Sequence, residues 1–443
     1  MKMTVGTKCF LKLGDKLVGE CFFDDQSTEE FFRYNKEWEK EGFPLSPTLP
    51  FGQEISKSVF LAFLENMLPE GRALEHLSRL NNISKNNVLA LCLAIRNDLA
   101  GALFLTMGDE EQQASSSFRP LKSEEILQRL ETPEVYPMDV WDGRPRLSVA
   151  GMQTKLNVFK QQDQFGLVDG KDLSSTHILK FEGSRQPHLL LNEHLTMTLA
   201  KSLGVPVAQT TLKRLGSHRV LEVERFDRKL VTTANGCRVM RRHIIDACQA
   251  LGLPSSFKYE QNYGNGRDVA HIRDGVSIEK LFSMIAFAAD PNKMQRNLLL
   301  WVLFNLIIGN SDAHGKNFSF FVEKSGLAPT PWYDLVSVFQ IAGFEHAMAM
   351  SFDGEFELAQ IHALQLLYEF EKCSVDLETV EETMNWLVST LEVALEQLQP
   401  PDDCDDKELI FCKSYKEVID SQLQKWSKEL ALMPKLRADS TLF

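Results

Sequence analysis

Between Met294 and Ile308 the chain is apolar nearly all the way round a helical period. A helix of that kind has no face to give to water and needs protein on every side. Its longest uniform run, Leu298 to Ile308, is interrupted by Asn305 and is too short to span a bilayer. The 443 residues, 44% hydrophobic and 25% charged, can supply such a surround as two or three compact units or as one enzyme with two lobes. That balance argues against collagen, long disorder and a coiled coil. Sixty-one acidic against 48 basic residues give a net charge of −13, which disfavours a general positive field for bare nucleic acid and leaves room for a local basic face. The first residues, Met1 to Cys9, contain no apolar signal core, so the expectation is a cytoplasmic protein.

The eight cysteines are scattered, with no C-x-x-C pair, and the ten histidines contain no H-E-x-x-H. Neither a zinc knuckle nor a zinc hydrolase site has its ligand spacing here. Reduced thiols in the core are the expectation.

Along the chain, strand-like runs Thr7–Leu13 and Leu17–Phe23 flank Gly14-Asp15, a hairpin signal. Helical spacing follows in Val59–Met67, Ala73–Leu80 and Val88–Ile95. Residues 109–124 are polar and Ser/Gln-rich and read as a linker. Short strands are expected at Leu147–Ala150, Leu156–Phe159, His177–Phe181 and Val220–Phe226. A helix fits between the last two, with Asn192 as N-cap, Leu195 to Leu203 as body and Gly204 as its end. Beyond Arg241 helices dominate, including long amphipathic patterns at Glu378–Leu398 and Lys413–Leu432, separated by Pro400-Pro401 and an acidic cluster. A mixed half followed by a helical half suggests two lobes with a cleft.

Where the buried helix ends, the chain reads Ile308-Gly-Asn-Ser-Asp312-Ala-His314-Gly-Lys316-Asn317. Asp312 and Asn317 stand at the D-x-x-x-x-N spacing that phosphoryl transfer uses. A carboxylate there can accept or orient the proton of an attacking hydroxyl, and an amide oxygen can hold Mg²⁺. A surface turn fits the spacing alone equally well. Asp334 follows in Thr330-Pro-Trp-Tyr333-Asp334, seventeen residues after Asn317, an interval that fits two strands and a hairpin. It is either a second Mg²⁺ ligand or the cap of a helix beginning at Leu335. Lys180, in the alternating strand His177–Phe181, could reach phosphates as a point charge, with Glu193 holding its ammonium; an edge-strand lysine in solvent is the alternative. The small and polar run Ala150-Gly151-Met152-Gln153-Thr154-Lys155 could turn backbone N–H groups toward an anion, although a plain hairpin fits too. Glu224, Arg225 and Phe226 end a strand whose main chain could meet an adenine edge, or a strand end with a salt-bridged surface.

The stretches LSVAGMQTKL (147–156), THILKF (176–181), VERFDRK (223–229), ACQALGLPSSFKYE (247–260), LIIGNSDAHGKNFSFF (306–321) and TPWYDLVSVF (330–339) are similar to those of the HipA family. These are the serine/threonine kinase toxins of bacterial HipBA toxin–antitoxin modules. PLSPTLPF (44–51) and ENMLPEGRALEHL (65–77) extend the resemblance over nearly the whole chain. It implies an α+β, two-lobed protein-kinase-like fold. The segments would be an N-terminal α/β subdomain (1–108), a connecting segment (109–145), a kinase N-lobe core with phosphate loop and hinge (146–226) and a mostly helical C-lobe with the catalytic loop (227–443). By the same resemblance Asp312 is the proton acceptor, Asn317 and Asp334 are Mg²⁺ ligands, and Lys180 contacts the phosphates of ATP. Ala150 to Lys155 form the phosphate loop, Glu224 to Phe226 the adenine hinge, and His314, Gly315, Lys316 and Tyr333 surround the nucleotide. Ser148 matches the serine whose autophosphorylation displaces that loop and silences the kinase. Met152, Thr154 and Ala313-His314-Gly315 depart from the family pattern and leave the substrate open.

The expected function is therefore an ATP- and Mg²⁺-dependent protein kinase that arrests growth. The resemblance points to an aminoacyl-tRNA synthetase as one candidate target. A HipB-like DNA-binding antitoxin would be its partner in a repressor complex on operator DNA, with no membrane involved. Two rivals stand beside it: a kinase-like corepressor without catalysis, and a small-molecule or lipid kinase.

Overall fold

The computed structural model describes residues 7–23, 31–95, 99–108, 116–146, 153–170, 172–183, 186–233, 236–341 and 346–439. Ser148, Ala150, Gly151 and Met152, with the expected strand 147–150, lie outside the described residues. The architecture is α+β, in two compact units: Met1–Phe181 with Lys213–Ser255 and Phe320–Gly326, and Glu182–Leu212 with Ser256–Ser319 and Leu327–Phe443. Among the described residues no helix is long and apolar enough to cross a membrane.

The first unit opens on the expected hairpin, Thr7–Leu13 with Lys16–Phe23. It sits in a four-stranded antiparallel sheet flanked by Phe32–Tyr34 and Leu103–Thr106. Helices Lys57–Glu65, Gly71–Asn81 and Val88–Ile95 match the helical spacing read from the sequence. Phe32 and Phe60 stack at 4.2 Å between sheet and helix. In a second sheet the strands His218–Glu224, His177–Phe181, Lys155–Gln161, Gln164–Asp169 and Ser117–Pro120 run side by side in that order. At its other edge is Thr210–Leu215, with which the chain re-enters the unit. Trp141, Leu156, Val158, Leu179, Phe181 and Val220 form this sheet's core, together with Ile126 of helix Ser123–Glu131. The linker expectation therefore fails for residues 117–124. Ser117–Pro120 pairs with Gln164–Asp169, and a polar exposed strand needs only backbone partners to form.

The stretch after Glu224 closes on an ion cluster. Arg225 grips both Asp227 carboxylate oxygens at 3.0 and 2.9 Å, and Arg228 joins it at 2.5 Å. The same carboxylate accepts the Gly101 N–H at 3.1 Å, while Arg228 donates to the carbonyls of Gly101 and Leu99 at 2.7 and 2.8 Å. Burial alone would push the Asp227 carboxyl up, but the two guanidiniums outweigh it and hold it at about 2. Nearby in this unit His243 is kept neutral by burial, its pKa lowered to about 4, and its Nε2–H meets the Leu45 carbonyl at 3.1 Å.

The second unit is built on helix Pro291–Ile308, from Met294 onward buried along almost its whole length. Asp290 caps it by accepting the Lys293 N–H at 3.0 Å, with Pro at the first helical position. Helices Leu377–Gln397 and Asp406–Leu430 cover it. The latter starts seven residues before the amphipathic pattern suggests. Asp405 and Glu408 of the acidic cluster form a reciprocal capping box and turn that cluster into a helix start. Helix Leu189–Ser202 likewise begins before the expected Asn192 cap. Asn192 is fully buried inside it, because its amide is engaged by backbone elsewhere in the unit rather than by its own first turn.

Replacing Asp227 with Asn leaves two buried guanidiniums facing a neutral amide. Urea unfolding should register a loss of about 3 kcal/mol, the usual cost of breaking a buried ion pair from one side. Acid sensitivity should come in two stages. The folded value of His243, about 4, lies below its ordinary 6.5, so the unfolded chain binds the proton first and stability falls as pH drops from 6.5 toward 4. The contribution of Asp227 is complete above its ordinary 3.8 and is lost as pH falls toward 2. A His243→Gln protein should lack the first stage in urea midpoints measured between pH 7 and 4.

Candidate active site

Gly309 ends the buried helix in the left-handed conformation (φ 65°) and sends the chain into the Asp312 loop. A side chain there would be strained and would meet the Phe339 ring at 2.1 Å. Asn305, in the last turn, accepts the Asn310 side-chain N–H at 2.8 Å, and Asn310 in turn takes the Asp312 N–H at 3.3 Å. The loop then folds on itself. The His314 N–H donates to the Asp312 carbonyl at 2.7 Å, the Asn317 N–H to the His314 carbonyl at 2.8 Å, and the Asn317 side-chain N–H to the Asp312 carbonyl at 2.8 Å. With its nitrogen tied back, the Asn317 amide presents an oxygen that could hold a cation. The Asp312 carboxylate is half-buried and takes a hydrogen bond on Oδ1 from the Tyr259 hydroxyl. His314, Gly315, Lys316 and Asn317 are all buried.

Gly315 is where this loop meets its neighbours. Its N–H donates to the Lys258 carbonyl at 2.9 Å, and a Cβ would lie 2.5 Å from Val276 Cγ2, so only glycine fits without a shift.

Strands Ser319–Glu323 and Gly326–Pro329 occupy the interval before Asp334, as the spacing suggests. The Thr330 N–H returns to the Ser319 carbonyl at 3.1 Å. The Tyr333 hydroxyl donates to the Lys316 carbonyl at 2.7 Å and lies 2.6 Å from the Ser319 hydroxyl, which joins the Asp334 segment to the Asn317 turn. Asp334 itself is in the left-handed region, φ 57°. Residues 335–341 are not helical, so the capping alternative falls. A non-glycine residue pays about 1 kcal/mol to sit there, a strain that recurs at working sites. Both flanks hold it. Trp332 exchanges backbone hydrogen bonds with Pro206 and Ala208 at 2.9 and 2.8 Å. Asn192 grips the Ser337 main chain, accepting its N–H at 2.9 Å and donating to its carbonyl at 2.7 Å.

In the first unit Lys180 stands on a central strand, not an edge. Its direct cross-strand neighbour is Lys155. Residues opposite one another in an antiparallel pair share a face with Cβ atoms about 5 Å apart, where like charges repel. Both lysines are buried, 9% and 6% exposed. The register thus brings two lysines onto one face of the sheet. The Phe181 N–H donates to the Thr154 carbonyl at 2.9 Å, which fixes where the run from Gln153 joins this strand pair. Glu224 is exposed and Phe226 half-buried, its ring edge-on to Phe321 at 6.1 Å. The Arg225 side chain is spent on Asp227 and Ser175, and its N–H donates to the Thr176 carbonyl at 2.9 Å, so Arg225 serves the fold first.

The structure thus brings Asp312, His314, Gly315, Lys316, Asn317 and Tyr333–Asp334 together in one unit and pairs Lys155 with Lys180 in the other. Tyr259 and Asn192 were missed by the sequence reading. Tyr259 lies inside the stretch 247–260, but nothing in its spacing shows a link to Asp312. Asn192 gave a signal, a polar residue after three leucines, that was read as a cap. Among the described residues no cluster of three His, Cys, Asp or Glu is arranged for a metal. The oxygen donors Asn317 and Asp334 suit a hard cation that keeps water and phosphate ligands.

The HipA N-terminal domain family matches residues 11–106 and the HipA-like C-terminal domain family residues 147–395. The serine/threonine-protein kinase toxin HipA of Shewanella oneidensis is 47% identical over 357 residues, covering 80% of this chain and 81% of the relative. The putative kinase Y4mE of Sinorhizobium fredii is 30% identical over 399 residues, 88% of this chain and 91% of the relative. Among solved structures, HipA of Shewanella oneidensis in complex with HipB and operator DNA superposes with a TM-score of 0.86 at 40% identity, covering 96% of this chain and 99% of that one. In sequence and in fold alike, the chain belongs to the HipA family of serine/threonine-protein kinases.

Proposed function

We propose that this chain transfers phosphate from Mg-ATP to serine or threonine of a cellular protein and so acts as the growth-arresting toxin of a type II toxin–antitoxin pair. The observation that carries the reading is the closed Asp312–Asn317 turn, which holds an acid and an amide oxygen on one rigid loop joined through Tyr333 to a strained aspartate. Asp312 would orient the incoming hydroxyl and take its proton. Asn317 and Asp334 would hold Mg²⁺, which when bound offsets the negative charge of the phosphates. Lys155 and Lys180 would take phosphate oxygens. The segment Ala150 to Lys155 would cover them, Glu224 to Phe226 would offer main chain to adenine, and His314, Gly315, Lys316 and Tyr333 would support the nucleotide.

Ser148 would be the site of self-inactivation, since a dianion beside the phosphates repels ATP. A HipB-like antitoxin and, through it, operator DNA are the proposed partners, by analogy with the Shewanella complex. The net charge of −13 suits a basic antitoxin better than bare DNA. The cytoplasm is the proposed compartment, and an aminoacyl-tRNA synthetase is one candidate target.

Asp312→Asn should lower transfer of label from radiolabelled ATP by roughly 10²–10⁴-fold. Equal labelling by both proteins would overturn the assignment of Asp312, and no label from either would favour the non-catalytic corepressor. Lys180→Met should raise the KM for ATP at least ~10-fold, the order of one lost charge-assisted contact. Mass spectrometry of protein incubated with ATP should find phosphate on Ser148. A labelled metabolite with no labelled protein would point instead to a small-molecule kinase.

A further inference from the structure

Among the described residues the Asp312 carboxylate has one hydrogen-bond donor, the Tyr259 hydroxyl on Oδ1. We infer that Tyr259 is a positioning residue for phosphoryl transfer, one that fixes the rotation of the Asp312 carboxylate and presents its Oδ2 to the acceptor hydroxyl. The inference rests on the reading of Asp312 as the group that orients that hydroxyl.

The carboxylate needs such a device. Rotation about the last torsion of an aspartate is soft, and Asp312 is only half-buried, so packing alone does not choose which oxygen faces the substrate. Transfer of a phosphoryl group leaves little covalent chemistry to the protein, and catalysis comes mainly from position. A phenol that donates to one oxygen leaves the other in a defined direction.

The support behind Tyr259 is built for a fixed hydroxyl. The Glu260 N–H donates to the Ala349 carbonyl at 3.0 Å, and its carboxylate accepts the Ser351 N–H and hydroxyl at 2.7 and 3.0 Å. The Gly275 and Val276 N–H groups donate to the carbonyls of Glu260 and Phe257 at 3.2 and 2.9 Å. A Cβ on Gly275 would fall 1.7 Å from the Tyr259 carbonyl oxygen, so the approach of these two segments demands glycine. On the other side the Gly315 N–H ties the Asp312 loop to the Lys258 carbonyl, and the Tyr259 ring stands edge-on to His314 at 5.0 Å and 88°. Tyrosine and aspartate therefore hang from one hydrogen-bonded frame. A phenol whose only role was packing would not need its hydroxyl aimed at the acid.

Tyr259→Phe keeps the ring and its contact with His314 and removes the donor. The expected result is a roughly tenfold fall in kcat, with the KM for ATP, the equilibrium affinity for a fluorescent ATP analogue and the thermal midpoint unchanged. Tyr259→4-aminophenylalanine, which restores an N–H donor at the same place, should recover most of kcat. In an Asp312→Asn background Tyr259→Phe should cost nothing further, because the group it positions no longer acts. Wild-type kcat in Tyr259→Phe, a KM change in place of a kcat change, no recovery with the amino analogue, or losses that multiply in the double variant would each overturn the inference. If Asp312→Asn itself labels as well as wild type, the kinase reading of Asp312 fails instead, a result the single Tyr259 variants do not produce.

Discussion

The burial of helix Pro291–Ile308 on every side from Asn297 onward is the constraint from which the rest of the second unit follows. A helix with no free face cannot rotate or slide without exposing leucine or phenylalanine, so the direction in which its last turn points is settled by packing. Gly309 then permits one exit, because its left-handed backbone and the Phe339 ring exclude any side chain. The Val338 N–H returns to the Gly309 carbonyl at 3.2 Å, so the same residue that starts the Asp312 loop also anchors the end of the Asp334 segment. Two acids distant in sequence inherit their positions from one helix terminus.

Much of this was legible in the sequence wherever the cause is local. The all-round apolar period announces a buried helix, a glycine after it announces its end, and the D-x-x-x-x-N spacing follows at once. The hairpin around Gly14-Asp15 and the three helices after it are likewise local consequences of turn chemistry and period. Apart from the start of helix Asp406–Leu430, set locally by the Asp405–Glu408 capping box, what failed was set by partners far along the chain. Ser117–Pro120 looks like linker because it is polar, yet it needs only the backbone of Gln164–Asp169 to become a strand. Asn192 looks like a cap because asparagine favours that place, but the Ser337 backbone offers it two hydrogen bonds in a buried setting, where leaving main-chain groups unpaired is costly. The Lys155–Lys180 pairing depends on strand register, which the sequence pattern of either strand alone does not reveal.

Spacing allowed Asp334 to be a ligand or a cap, and the non-helical backbone at 335–341 removes the cap. An aspartate in the left-handed region, with both flanks held by hydrogen bonds, is being kept in a costly conformation. Residues kept in that way repay explanation by function rather than by stability.

Two aspartates show how one side chain is put to opposite uses. Asp227 is saturated: two guanidiniums and a backbone N–H take its lone pairs, and at neutral pH it cannot accept a proton from anything else. Its charge is wholly consumed in joining the stretch after Glu224 to the main chain of Leu99 and Gly101, and its value is structural. Asp312 stands in a loop held by neutral donors and acceptors, namely the carbonyls of Asp312 and His314, the amides of Asn310 and Asn317, and the Tyr259 phenol. Among the described residues no cation pairs with its carboxylate. A fold that fixed this loop with arginine would occupy the carboxylate that the proposed function assigns to an acceptor hydroxyl. The hydrogen bonds of this loop thus leave the Asp312 carboxylate without the guanidinium partners that Asp227 has, the arrangement the proposed role asks for.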